Sequence, residues 1–180
     1  MGAQTWVEIV NIQIGAGPTL TAATTEALCV TDVVIPANYM QPGRIIRGQL
    51  AGKASSAITT PGTGQLRIRF GGLAGTLLAD SGQMAQRAAS AATNETWILD
   101  FLILCQTNGA SGTFLSYGRM NRQNRENAAS TNPSVDIIPT ASLAAVSVDT
   151  TTQKNLSITW TASLATASFT AMSYFAEVAN

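Results

Sequence analysis

Histidine is absent from all 180 residues. Its absence removes the base of Ser-His-Asp and Cys-His nucleophilic machinery and the commonest protein ligand of metals. Charge is scarce too: Asp, Glu, Lys and Arg make up 11% of the chain, less than half the ~25% usual in globular domains. Ten basic residues balance ten acidic ones. A chain without a basic excess has no obvious face for neutralising phosphates, which argues against general nucleic-acid binding. Only two cysteines occur, Cys29 and Cys105, each in an apolar run. They are expected as buried free thiols and, without histidine, compose no structural zinc set. The longest apolar run, Trp97–Cys105, is interrupted by Asp100 and is far too short for a membrane span. The opening MGAQTWVEIV has neither the cationic nor the apolar region of a secretory signal. Trp6 stands where a myristoylation signal needs Ser or Thr. The expectations are no cofactor, no metal, no nucleic acid, no membrane, and synthesis in the cytoplasm.

Ala, Thr, Ser and Gly fill the space that charge leaves. A surface of short hydroxylated side chains loses little entropy when it packs against a partner, which favours oligomer or lattice contacts. The plainer reading is a surface made polar by Thr and Ser instead of Lys and Glu. A chain of this length buries roughly 70% of its unfolded surface, so one domain over residues 1–180 needs no disulfide to hold it, with residues 1–5 free to act as an N-terminal arm.

Periodicity is of the strand kind nearly throughout. In Asn155–Ser163, Leu156, Ile158 and Trp160 point one way, while Ser157, Thr159 and Thr161 point the other. Gln65–Phe70 alternates in the same manner, with Arg67 and Arg69 outward, and reads as an edge strand protected by charge. Trp97–Cys105 is apolar on both faces and belongs in the middle of a sheet. Gly71, Gly72 and Gly75 mark a tight turn, and Asn108–Gly112 another. Gly52–Gly64 reads as loop, and Gln83–Ala92 as either a short helix or a connection. The pattern predicts an all-β jelly-roll β-sandwich of about eight to ten short antiparallel strands.

Three segments carry a family resemblance. LRIRFGGLAGTLLADSG (Leu66–Gly82), TNETWILDFLILCQTNGASGTFLSYG (Thr93–Gly118) and VDTTTQKNLSITWTASLATASFTAMSYFAEV (Val148–Val178) resemble the jelly-roll structural proteins of tailed bacteriophages. The shared features are a strand ending in a glycine-rich turn, a Trp-led central strand, and an Asp-Thr segment entering a last β-hairpin that carries a Trp. The resemblance implies capsid decoration or cement proteins, head fibres or tail-tip parts, assembled as dimers or trimers. It brings no catalytic residues.

Candidate contact residues are the arginines and one tryptophan. Arg119, Arg122 and Arg125 recur every three residues and read either as a basic contact patch or as a solvated loop. Arg44 and Arg47 flank two isoleucines, and arginine makes planar bidentate contacts that lysine cannot. Trp6 is placed to anchor an N-terminal arm in a neighbouring subunit, whereas Trp97 and Trp160 read as core. Among the carboxylates Asp100 is expected to be buried, and either paired with an arginine or capping a backbone amide. Glycoside hydrolysis would instead need two acids about 5–9 Å apart.

The sequence reading is therefore a non-enzymatic cement protein on the outer surface of a phage head. It would bind the major capsid protein, as a homotrimer or alternatively a dimer, with Trp6, Arg44, Arg47, Arg119, Arg122 and Arg125 as contacts. The alternative is a tail-tip or fibre module that binds a host glycan, for which exposed aromatics beside acids and amides would be the mark.

Overall fold

The computed structural model describes residues 7–57, 59, 62–86, 92–123 and 134–180. These contain fourteen strands and no helix. In chain order they are β1 (Val7–Gln13), β2 (Thr19–Thr21), β3 (Ala27–Leu28), β4 (Val33–Ile35), β5 (Ile45–Ser56), β6 (Thr63–Phe70) and β7 (Thr76–Asp80). There follow β8 (Met84–Ala85), β9 (Ala92–Thr107), β10 (Gly112–Arg122), β11 (Ser134–Ile138), β12 (Val146–Val148), β13 (Lys154–Ala162) and β14 (Ser168–Ala179). Nine of them are five residues or longer, which matches the expected number; the other five have two or three residues and escape a periodicity reading.

The strands form two sheets. The larger runs β1-β14-β5-β9-β10-β11, with β2 also on β14 and β12 also on β10. The smaller runs β3-β13-β6-β7, with β4 also on β13 and β8 also on β6. Every pairing is antiparallel. The order β1-β14-β5-β9 facing β4-β13-β6-β7 is that of a jelly roll, and β10 and β11 widen the larger sheet beyond it.

Alternation decides what meets between the sheets. Leu66, Ile68 and Phe70 of β6, and Leu156, Ile158 and Trp160 of β13, point inward against Trp97, Leu99, Phe101 and Ile103 of β9. Phe169 of β14 lies between two indoles, its centroid 4.3 Å from that of Trp97 and 4.1 Å from that of Trp160. This stack ties the large sheet to the small one. It requires room: Gly48 and Gly52 of β5 sit beneath the rings of Phe101 and Trp97, where an added Cβ would collide. Cys29 and Cys105 are buried free thiols as expected, and burial raises the pKa of both. Gly71 and Gly72 take positive φ in the β6–β7 turn.

Four sequence expectations need correction. Gly52–Gly64 is not a loop throughout, because β5 continues to Ser56 and β6 starts at Thr63. Gly52 there lies against the Trp97 indole and Gly64 against the Trp160 indole, and neither breaks its strand. Gln65–Phe70 is not an edge: β6 lies between β13 and β7. Its two arginines instead hold acids, Arg69 Nε bonding Glu26 Oε1 at 2.6 Å and Arg67 Nε bonding Asp80 Oδ2 at 3.0 Å. The last two strands are no hairpin, since β13 and β14 belong to different sheets and the short linker crosses between them. In Gln83–Ala92, Met84 and Ala85 form a strand pairing with β6, and residues 87–91 lie outside the described residues.

Two of the three outward hydroxyls of β13 are also buried. Ser157 and Thr159 are fully covered by the segment carrying Glu26 and Asp32. Ser157 Oγ donates to Asp32 Oδ1 at 2.7 Å, and Thr159 Oγ1 donates to Glu26.

Candidate functional site

The outer face of the large sheet carries a groove of about 740 Å³. Its walls follow from register. Phe175 of β14 stands opposite Gln49 of β5, Gln49 opposite Asp100 of β9, Asp100 opposite Arg119 of β10, and Arg119 opposite Ile137 of β11. A second row, two residues along each strand, runs Glu177, Arg47, Leu102, Tyr117. Between the rows Gly48, Phe101 and Gly118 turn inward or carry no side chain, so their backbone forms the floor.

The walls mix apolar and polar groups. Tyr117 and Ile137 are 43% and 63% exposed. Phe175 and Leu102 are half-buried beside them. Asp100 Oδ1 accepts from Gln49 Nε2 at 2.7 Å, and Asp100 Oδ2 lies 3.4 Å from Arg119 Nε. Arg47 Nε pairs with Glu177 Oε1. Both guanidinium side chains remain more than half exposed, at 56% for Arg47 and 64% for Arg119. Each therefore keeps N–H donors beyond the one it gives its carboxylate.

Such a site can stack rings and trade hydrogen bonds with hydroxyls. Asp100 is the acid that lines the groove, and it holds Arg119; Glu177, which holds Arg47, is buried beside it. Among the described residues no cluster of three His, Cys, Asp or Glu could hold a metal ion.

The sequence-derived contact residues separate. Arg47 and Arg119 meet in this groove. Arg122 does not join Arg119, because residues three apart on a strand face opposite ways. Its Nε bonds Asp136 Oδ2 at 2.8 Å and its Nη1 donates to the Ala85 carbonyl at 2.8 Å. Arg44 lies over the Tyr39 ring, 4.9 Å from its centroid, and donates to the Tyr39 carbonyl. Trp6 and Arg125 lie outside the described residues. Trp97 and Trp160 are core, as expected. Asp100 is paired with an arginine as expected but stands half-exposed on the outer face, not in the core.

Sequence reasoning missed Gln49, Tyr117, Ile137 and Phe175. Their signal was available only in part: Tyr117 and Arg119 share a strand face by spacing, but nothing local joins them to Phe175 across the two strands between.

No protein-family model matches the chain. No curated protein matches it either. Among solved structures, a similar chain is the CBM2 module of the Lactobacillus casei BL23 phage J-1 evolved Dit, 8% identical over 97% of this chain and 97% of that one, with a TM-score of 0.36. An overlap of that size carries no argument about role.

Proposed function

We propose that this protein is a non-catalytic virion module of a tailed bacteriophage, a tail-tip or fibre part whose large-sheet groove binds a host glycan. The observation that carries the reading is the outer face itself: Tyr117, Phe175, Leu102 and Ile137 stand beside Gln49, Asp100, Arg119 and Arg47 in two aligned rows. A pyranose has an apolar C–H face and a rim of hydroxyls, and this groove offers rings to the first and paired donors and acceptors to the second. The resemblance of three chain segments to phage jelly-roll proteins supplies the virion context.

A second reading, the capsid cement, is favoured by a different feature. Along β1 and just beyond it, Val7, Ile9, Ile12 and Ile14 are 52%, 56%, 55% and 94% exposed on a strand that forms the sheet's edge. Such an edge suits docking against a neighbouring copy, in a trimer or dimer, or against a major capsid protein on the outer head surface.

Two measurements separate them. In a glycan-binding assay Tyr117→Ala should weaken affinity about tenfold or more while leaving the melting temperature unchanged. Labelling of intact particles should mark the tail. Decoration of the head shell, with no glycan bound at any concentration, would transfer the assignment to the cement role.

A further inference from the structure

We infer that the groove takes an uncharged, extended oligosaccharide laid across the strands, and rejects anionic glycans. This rests on the glycan reading above and narrows it to a substrate class.

Charge gives the first argument. Two arginines stand in or beside the groove, and each is matched by an acid: Arg119 by Asp100, and Arg47 by Glu177. The site is therefore net neutral. An entering sialic or uronic carboxylate would meet Asp100 beside Arg119, and Arg47 already neutralised by the buried Glu177, and gains no net attraction. A hydroxyl can use both members of the Arg119–Asp100 pair, accepting from a spare guanidinium N–H and donating to the carboxylate. The next cation on this face of β5, Lys53, stands four residues beyond Gln49, about 13 Å along the strand.

Length gives the second. The row Phe175, Gln49, Asp100, Arg119, Ile137 crosses five adjacent strands. Four spacings of about 4.8 Å make about 19 Å, room for roughly three or four linked pyranose rings. The volume of about 740 Å³ agrees, being large for one sugar. The apolar side chains are spread over this span, with Phe175 at one end, Ile137 at the other, and Leu102 and Tyr117 alongside. An extended ligand can use all of them, whereas a terminal monosaccharide would use only a fraction.

The test is binding by the full chain to an array of neutral gluco-, galacto-, manno- and N-acetylglucosamine oligosaccharides of one to six units. Sialylated and uronic-acid chains are printed beside them, and hits are followed by calorimetry. Binding should be confined to neutral chains, rise about tenfold or more from one unit to four, and level off thereafter. Asp100→Asn, which leaves Arg119 without its counter-charge, should let anionic chains bind at low salt and weaken at high salt. Preference of the wild-type chain for anionic glycans, or affinity independent of length, would overturn this inference and leave the glycan reading standing. No binding to any glycan would overturn the glycan reading and this inference together. So would concentration-dependent self-association abolished by Tyr117→Ala, which would make the face an interface between copies.

Discussion

Gly48 shows how one missing side chain shapes this molecule. It lies on β5 with the Phe101 ring where its Cβ would be, 2.6 Å away, and the Phe175 carbonyl 2.7 Å away on the other side. The Phe101 ring thus fills the core directly beneath the stretch of β5 whose backbone forms part of the groove floor. Gly48→Ala should destabilise by about 1–3 kcal/mol through overpacking, read by urea unfolding. An unchanged midpoint would show that the ring moves aside freely. The arginines teach a complementary lesson. Arg119 and Arg122 look like one patch in a linear reading, yet the strand sends one to the groove and the other to Asp136.

At the level of elements, the most telling assembly is the segment that covers β13 and β6. Glu26 takes Arg69, Arg67 and Thr159, and Asp32 takes Ser157 and Asn155. Burial pushes the Glu26 carboxyl up, but hydrogen bonds from Arg69 and Thr159 and the charges of both arginines outweigh it and hold its pKa below the usual value. A depressed carboxylate stabilises the fold above its unfolded pKa, near 4.5, and that contribution drains away as pH falls through the lower folded value. The melting temperature should therefore decline below about pH 4.5 more steeply in the wild type than in Glu26→Gln. At pH 7 that variant should be less stable by about 2 kcal/mol, since charged hydrogen bonds to two half-buried guanidiniums are lost. Parallel pH profiles for the two proteins would remove Glu26 from this role.

The whole molecule holds together through contacts between sheets. Trp97 and Phe169 come from the large sheet and Trp160 from the small one, so neither sheet can leave without breaking the stack. Unfolding should be one cooperative event, with tryptophan fluorescence and far-UV circular dichroism following one curve. Phe169→Ala should cost about 3–5 kcal/mol and shift both signals equally. Two separate transitions would mean that the sheets fold independently. The jelly-roll order makes this coupling natural, because β5 to β6, β7 to β9, and β13 to β14 each cross from one sheet to the other.

Much of this was open to a reader of residues alone. Period-two alternation named the inward sets of β6 and β13, the two-sided apolar run placed β9 in mid-sheet, and glycine clusters located the turns. Those are local properties, set by side-chain geometry within a strand and by backbone freedom at single residues. Strand partnership is not local. That β13 and β14 part company, that β6 is interior, and that Phe175 and Ile137 end one row across five strands all follow from register between segments distant in the chain. Register is chosen by how the two apolar faces fill one shared core, a choice that exists only once the sheets have met.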